Sequence, residues 1–352
     1  MKNQSTEDPQ RALQLVEKGR RKRWWRRKGA SVKRFIYIDP AGRQVNDEES
    51  VARIRSLAIP PAWKYVKISP AASSKLQAVG IDSTGRIQYV YHPKFTEQQQ
   101  RKKFAKIERF GEYLPQLRRV TNEHISLDGF PREKVLAVML RLINSLYIRI
   151  GTDGSVRRYK TYGITTLKNR HLQIGRKGRL TFEFVGKSHV KHRKVLVDEE
   201  LSAILMDLKE LGPGRKLFHY QDDEGKPRAI KPNDINDYLK SITSPEFSSK
   251  DFRTWGATLL AAVELAELGN ATDVRQIKAN LNKAIRKVAE NLGNTPAVCR
   301  GSYIHPTVLK AYAEGVVLDH FRAGRTRKAM RLEPDIEPEE QSLLQLLSAY
   351  GK

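Results

Sequence analysis

The apolar residues of this 352-residue chain change period near residue 97. From Lys33 to about Pro93 the segments R-F-I-Y-I, W-K-Y-V-K-I and R-I-Q-Y-V-Y-H alternate apolar and polar positions, the period of half-buried strands. D-P-A-G-R and Asp82 to Gly85 supply turns, and the one helical stretch, E-S-V-A-R-I-R-S-L-A, stops at Pro60 and Pro61. Beyond residue 97 the spacing lengthens. Val135, Leu136, Met139, Leu140, Ile143 and Leu146 form one buried helical stripe, and further helices are predicted over 98–119, 199–211, 232–241, 258–268 and 271–292. Short strands are expected at G-I-T-T-L, H-L-Q-I and L-T-F-E-F-V. The expected fold is therefore α+β. A small β-rich domain spans 33–97, and a larger, mainly α-helical domain with a small β-sheet spans 98–332. Residues 1–32 read as a basic, partly disordered arm, and 333–352 as an acidic tail with a short helix over 343–347. No internal repeat is present.

Charge narrows the function. Lys and Arg number 65 against 39 Asp and Glu, a formal net charge of +26. A surplus of that size fits a polyanionic partner, nucleic acid first, because neutralising phosphates releases counterions. The competing reading is a soluble protein that is merely basic. The block R-R-K-R-W-W-R-R-K at 20–28 fits a localisation signal, a solvated tail or a nucleic-acid arm, and Trp24 and Trp25 favour contact with something. Cys299 is the single cysteine, which excludes an internal disulfide and a multi-cysteine zinc site. No apolar run reaches membrane-spanning length, and the first thirty residues are too charged for a secretory signal, so a cytoplasmic protein is expected. There is no G-x-x-x-x-G-K-[ST] loop and no ordered carboxylate cluster, so neither ATP nor a metal is implied.

Four short motifs carry chemistry in a fixed order: Y-I-R-I-G (147–151), F-V-G-K-S-H-V-K-H (184–192), K-D-F-R-T-W-G (250–256) and G-N-T-P-A-V-C-R-G-S-Y (293–303). Singly, each key residue has a plain structural reading. Arg149 ends a buried helix, Lys187 sits at a solvated hairpin tip, Arg253 lies near a helix start, Asn294 follows a helix C-cap, and Tyr303 is one tyrosine among thirteen. Together they are two arginines, a lysine, an amide and a phenol. A phosphodiester under attack by a phenolic oxygen needs that set, because tyrosine with a pKa of about 10 is a poor nucleophile unaided.

These motifs resemble the type IB DNA topoisomerases, in particular the compact poxvirus-like bacterial form. T-Y-G-I-T-T-L-K-N-R-H-L (161–172) resembles the strand pair between the first arginine and the lysine of that family. I-P-P-A-W (59–63) and G-I-D-S-T-G-R-I-Q-Y-V-Y-H (80–92) are similar to its N-terminal domain. The resemblance covers roughly 33–315. It implies a C-shaped clamp around duplex DNA and a monomer with no obligate protein partner. By motif, Tyr303 is the nucleophile, Arg149 and Arg253 bind non-bridging oxygens, and Lys187 is the general acid. Asn294 stands where many members carry histidine; both donate hydrogen bonds, but Asn does not titrate. Gln88, Tyr89 and Tyr91 match the groove-facing strand, with the two tyrosines on one face. The nearby His305 matches no motif, and Tyr312 is the next candidate nucleophile. The implied activity is relaxation of supercoiled DNA through a 3′-phosphotyrosine.

Two other readings remain. Tyrosine recombinases share the catalytic set, but they typically carry histidine where this chain has Lys250 and have a helical N-terminal domain. A non-catalytic basic nucleic-acid-binding protein would keep only the scaffold.

Overall fold

The computed structural model describes residues 9–29, 34–211, 216–318 and 337–350. The chain divides into two compact units, Met1–Lys102 and Lys103–Lys352. The first eight residues of the expected arm, and the beginning of the expected acidic tail, lie outside the described residues.

The first unit is built on a five-stranded antiparallel sheet in the order β2-β1-β3-β4-β5. Its strands are β1 (Trp25–Lys28), β2 (Ile36–Ile38), β3 (Lys64–Ile68), β4 (Leu76–Ile81) and β5 (Ile87–Tyr91). Helices α1 (Pro9–Val16) and α2 (Glu48–Ser56) complete it, with Asp47 capping α2 through Ser50 N–H at 2.8 Å. Period two correctly marked β2, β3 and β5.

The basic block at 20–28 is not an arm. Arg20 to Arg23 form a tight turn, and Trp25 to Lys28 are an interior strand between β2 and β3. Arg27 donates to the carbonyls of Ile59, Pro60, Pro61 and Trp63, so its charge holds the I-P-P-A-W loop. Trp25 packs with Ile54, Val66, Ile68 and Ala78, while Trp24 joins Ala12, Val16, Val79, Ile81 and Ile87 on a second cluster. Lys67, 5% exposed, pairs with Glu17 at 2.8 Å. Charge density hid this strand: four of its neighbours in sequence are basic, yet the sheet buries only the alternate stems.

Helix α3 (Pro93–Glu112) runs across the boundary between the units. The second unit then adds α4 (Leu114–Ile125), α5 (Arg132–Leu146), α6 (Asp153–Tyr159), α7 (Glu199–Leu211), α8 (Pro232–Ile242), α9 (Ser249–Leu268), α10 (Val274–Leu292), α11 (Pro296–Ser302), α12 (Pro306–Ala313) and α13 (Pro338–Tyr350). It also holds a three-stranded antiparallel sheet, β6 (Leu172–Ile174), β7 (Arg179–Val185) and β8 (Lys191–Val197), and a hairpin of β9 (His219–Gln221) and β10 (Pro227–Ala229). Helix α5 is the hub. Every residue from Val135 to Ile143 is buried, and the helix packs against α4, α8, α9, β8 and β9. A helix buried all round belongs in the middle of a large core. The one charge within that buried stretch, Arg141, is met by Glu200 at 2.7 Å and Asn122 Oδ1 at 2.5 Å.

Two expectations change here. G-I-T-T-L is a 3₁₀ turn over Ile164–Thr166, not a strand. Its polar groups are taken locally: Ile164 N–H donates to Arg149 O at 2.8 Å, and Thr165 Oγ1 donates to Gly151 O at 2.8 Å. No ladder partner is left for them. The acidic C-terminal segment is also longer and better anchored than a tail. Leu343, Leu346 and Leu347 of α13 are buried in the main core, and Glu340 meets Arg118 at 2.8 Å with both side chains buried. Among the described residues no helix is long and apolar enough to cross a membrane.

Candidate active site

The first arginine is delivered by the end of α5. Tyr147 caps that helix in the left-handed region (φ 55°), which turns the chain so that Arg149 leaves the helix axis. The Tyr147 ring lies on Gly256 of α9: a Cβ there would stand 2.0 Å from Tyr147 Cε1. Close packing at Gly256 thus joins Y-I-R-I-G to K-D-F-R-T-W-G. One turn earlier on α9, Arg253 donates to the carbonyl of Tyr147 and to Leu292 O at 2.9 Å. Arg253 sits inside the helix, whose start is capped by Ser248 and Asp251, so it grips carbonyls of two other segments rather than sharing the N-terminal N–H groups.

Helix α10 ends with Gly293 in the left-handed region (φ 60°), and Asn294 N–H folds back to Ala289 O at 3.0 Å. This turn sends the Asn294 side chain to Arg149, whose Nη2 donates to Asn294 Oδ1 at 2.5 Å. Asn294 Nδ2 is buried with no hydrogen-bond partner among the described residues, beside the thiol of Cys299. Burial raises that thiol's pKa, so it acts as a small core side chain.

Tyr303 ends α11, with its N–H on Cys299 O at 3.0 Å. Thr258 Oγ1 of α9 donates to Tyr303 O at 3.3 Å and accepts from His305 N–H at 3.1 Å, and Lys103 donates to Ser302 O. The backbone at Tyr303 is therefore held from α9 and α3. The Arg253 guanidinium stands 5.2 Å from the Tyr303 ring centroid, and Lys103 Nζ stands 5.6 Å from it. Burial alone would raise the phenol's pKa. The charges of Arg253 and Arg149, with their hydrogen bonds, outweigh burial and lower it.

Lys187 follows β7 in a tight turn. Ser188 (φ 63°) and His189 (φ 59°) are both left-handed there, a conformation costing about 1 kcal/mol or more per non-glycine residue. The side chain is exposed, and it lines one pocket with Arg149, Arg253, His192 and Lys194. Lys194 was not anticipated. It lies on β8 and donates to Asn291 O; burial, then Arg253 and Arg149, lower its pKa to about 8. Burial and Arg149 likewise bring Arg253 down to about 10. Among the described residues no carboxylate pairs with Arg149, Lys187, Lys194 or Arg253, though ion pairs are frequent elsewhere. A cluster of unneutralised cations that holds the buried Arg253 and the half-buried Arg149 and Lys194 is unfavourable alone and becomes favourable around an anion.

All five motif residues thus meet in one place. The other two candidates near the site are structural. His305 is the N-cap of α12, accepting from Thr307 N–H at 3.2 Å, and burial lowers its pKa to about 4. The Tyr312 hydroxyl accepts from Asn280 at 2.6 Å and donates to Gly269 O at 2.7 Å, and the side chain is 2% exposed. Lys103 and Lys194 lay in no motif; only the excess of cations around the motifs pointed their way. In the first unit, Tyr89 and Tyr91 share a face with ring centroids 6.2 Å apart, and Gln88 Nε2 donates to Asp82 Oδ2 at 2.7 Å. Among the described residues no three His, Cys, Asp or Glu side chains converge as a metal site.

The family pattern of the eukaryotic DNA topoisomerase I catalytic core matches residues 92–321, and that of the bacterial DNA topoisomerase IB N-terminal domain matches 34–82. The chain belongs to the type IB DNA topoisomerases. DNA topoisomerase 1B of Acanthamoeba polyphaga mimivirus is 30% identical over 287 residues, 79% of this chain and 84% of that one. DNA topoisomerase 1B of vaccinia virus (strain Western Reserve) is 25% identical over 258 residues, 72% and 78% of the two chains. DNA topoisomerase 1 of Mycosarcoma maydis is 27% identical over 235 residues, 58% and 23%. The enzyme is thus an isomerase acting on DNA, with a bacterial-type N-terminal domain.

Proposed function

We propose that the enzyme relaxes positively and negatively supercoiled duplex DNA by transient cleavage of one strand. The carrying observation is the group of cations without carboxylate partners around Tyr303, with Arg253 buried among them. Tyr303 Oη attacks the phosphorus and loses its proton to solvent. Arg149, Arg253 and the Asn294 amide donate to the non-bridging oxygens as charge builds in the five-coordinate transition state. The P–O5′ bond breaks, and Lys187 protonates the departing O5′. The product is a 3′-phosphotyrosine and a free 5′ hydroxyl. The cut strand rotates about the intact one, and attack of the 5′ hydroxyl on the phosphotyrosine reverses each step. The bond energy stays in the phosphotyrosine, so neither ATP nor a metal is required.

The two units bind DNA as a clamp, with Gln88, Tyr89 and Tyr91 facing the groove, and the protein works as a monomer. The +26 charge supports this through phosphate contacts, whose affinity falls steeply with salt. The test is incubation with supercoiled plasmid in EDTA without ATP. Wild type should give relaxed topoisomers and a denaturation-resistant protein–DNA adduct; Tyr303→Phe should bind DNA and give neither. Full relaxation by Tyr303→Phe would move the nucleophile elsewhere.

A further inference from the structure

His192 is a half-buried titratable group in the site that the mechanism above does not use. It pairs across the ladder with Phe184, and the two rings stack at 5.1 Å with 30° between their planes. The ring fills the space between two glycines. A Cβ on Gly186 would stand 2.6 Å from His192 Cδ2 and Nε2, and one on Gly293 would stand 2.2 Å from His192 Cε1. Gly186 immediately precedes Lys187, and Gly293 immediately precedes Asn294. One flat ring therefore spaces the lysine turn from the turn that presents the amide to Arg149. Burial, with Lys194, Arg149 and Arg253 around it, lowers its pKa to about 4, so the spacer carries no charge at neutral pH.

We infer that His192 is a positioning residue: its neutral ring sets the distance between the Lys187 turn and the Gly293–Asn294 turn, so that proton donor and phosphate-binding amide act on one phosphodiester. The inference rests on the proposed role of Lys187 as general acid. The left-handed pair Ser188 and His189 makes the lysine turn strained, and a strained turn keeps its shape only while its surroundings hold it. With the ring removed, both Gly186 and Gly293 lose their nearest contact, and Lys187 loses its register on O5′.

The experiment is single-turnover cleavage of duplex substrates carrying either oxygen or sulfur at the 5′ bridging position. Sulfur leaves without a proton donor, so it reports on the acid alone. Lys187→Ala is the control. It should lose about 10²- to 10⁴-fold on the oxygen substrate, the usual contribution of a general acid, and recover with sulfur. His192→Ala should lose on the order of 10- to 100-fold on oxygen, and sulfur should restore most of it. His192→Phe, which keeps a flat ring, should cleave the oxygen substrate faster than His192→Ala. In Gly186→Ala the new Cβ meets the ring, so adding His192→Ala should cost less there than in the wild type. If Lys187→Ala is not rescued by sulfur, the general-acid reading fails. If Lys187→Ala is rescued and His192→Ala is equally slow on both substrates, or not slowed at all, His192 does not act through Lys187. Equal defects in His192→Phe and His192→Ala would overturn the role of ring shape.

Discussion

At the scale of single residues, the site is defined by what its cations lack. Arg253 is 3% exposed, and its terminal nitrogens meet two backbone carbonyls instead of a carboxylate. Lys194 shows the consequence most directly. Its folded pKa of about 8 lies below the free lysine value near 10.4, so the charged form is penalised in the native state. Between those two values the unfolded chain binds more protons, and stability should rise with pH. The penalty is present in full below pH 8. Lys194→Met should therefore be more stable than wild type at pH 7, by roughly 1–3 kcal/mol from a shift of that size, and the gain should shrink by pH 10. Denaturant titrations at the two pH values measure it; an equal difference at both would show that the amine's charge is not the cause.

Asn294 yields a second residue-scale prediction. Its amide does not titrate, so it contributes by hydrogen bonding alone, accepting from Arg149 through Oδ1 and offering Nδ2 as a donor. Asn294→Ala should lower cleavage about 10²-fold, the scale of one lost donor to a developing oxyanion, and Asn294→His should recover most of it with a new inflection in the pH–rate profile. A wild-type profile already carrying that inflection would point to another titrating group.

At the scale of elements, close contacts at glycines carry the geometry. Gly256 is the joint between α5 and α9, because a side chain there would displace the Tyr147 ring. Alanine favours a helix interior over glycine by about 1 kcal/mol, so intrinsic propensity alone predicts that Gly256→Ala stabilises the protein. Packing predicts the reverse. Tyr147 must shift, and with it the carbonyl that Arg253 holds and the approach of Arg149. Gly256→Ala should cut relaxation by at least tenfold while leaving far-ultraviolet circular dichroism unchanged. Normal activity in this variant would show that the tyrosine relaxes without moving the arginines.

At the scale of the whole molecule, the N-terminal block belongs to the fold of its unit. Strand β1 lies between β2 and β3, and Glu17 neutralises the buried Lys67. Removing residues 1–30 should therefore do more than weaken salt-dependent DNA binding. It should open the five-stranded sheet, strand a buried lysine charge and separate β2 from β3, a loss of about 3 kcal/mol or more. Limited proteolysis checks this: residues 34–102 of the truncated protein should be digested while the second unit resists. A truncated protein with an intact first unit would mean that the sheet closes without β1.

The sequence by itself determined the periods of most elements, the order of the motifs that meet in the pocket and the sign of the partner. Those properties depend on neighbours within a few positions or on simple charge excess. The stripe at 135–146 became α5, and Glu199–Leu211 became α7 with the same bounds. Tertiary structure alone decided the rest. Trp25 to Lys28 reads as a charged run until Arg26 finds Ile38 and Lys67 across two ladders. G-I-T-T-L reads as a strand until Gly163 is pressed against Gly151 and the carbonyl of Arg149. The low pKa values of Lys194 and His192 arise from groups tens of residues away that close water out. Desolvation and ladder partners are set by residues distant in the chain, so no local pattern encodes them.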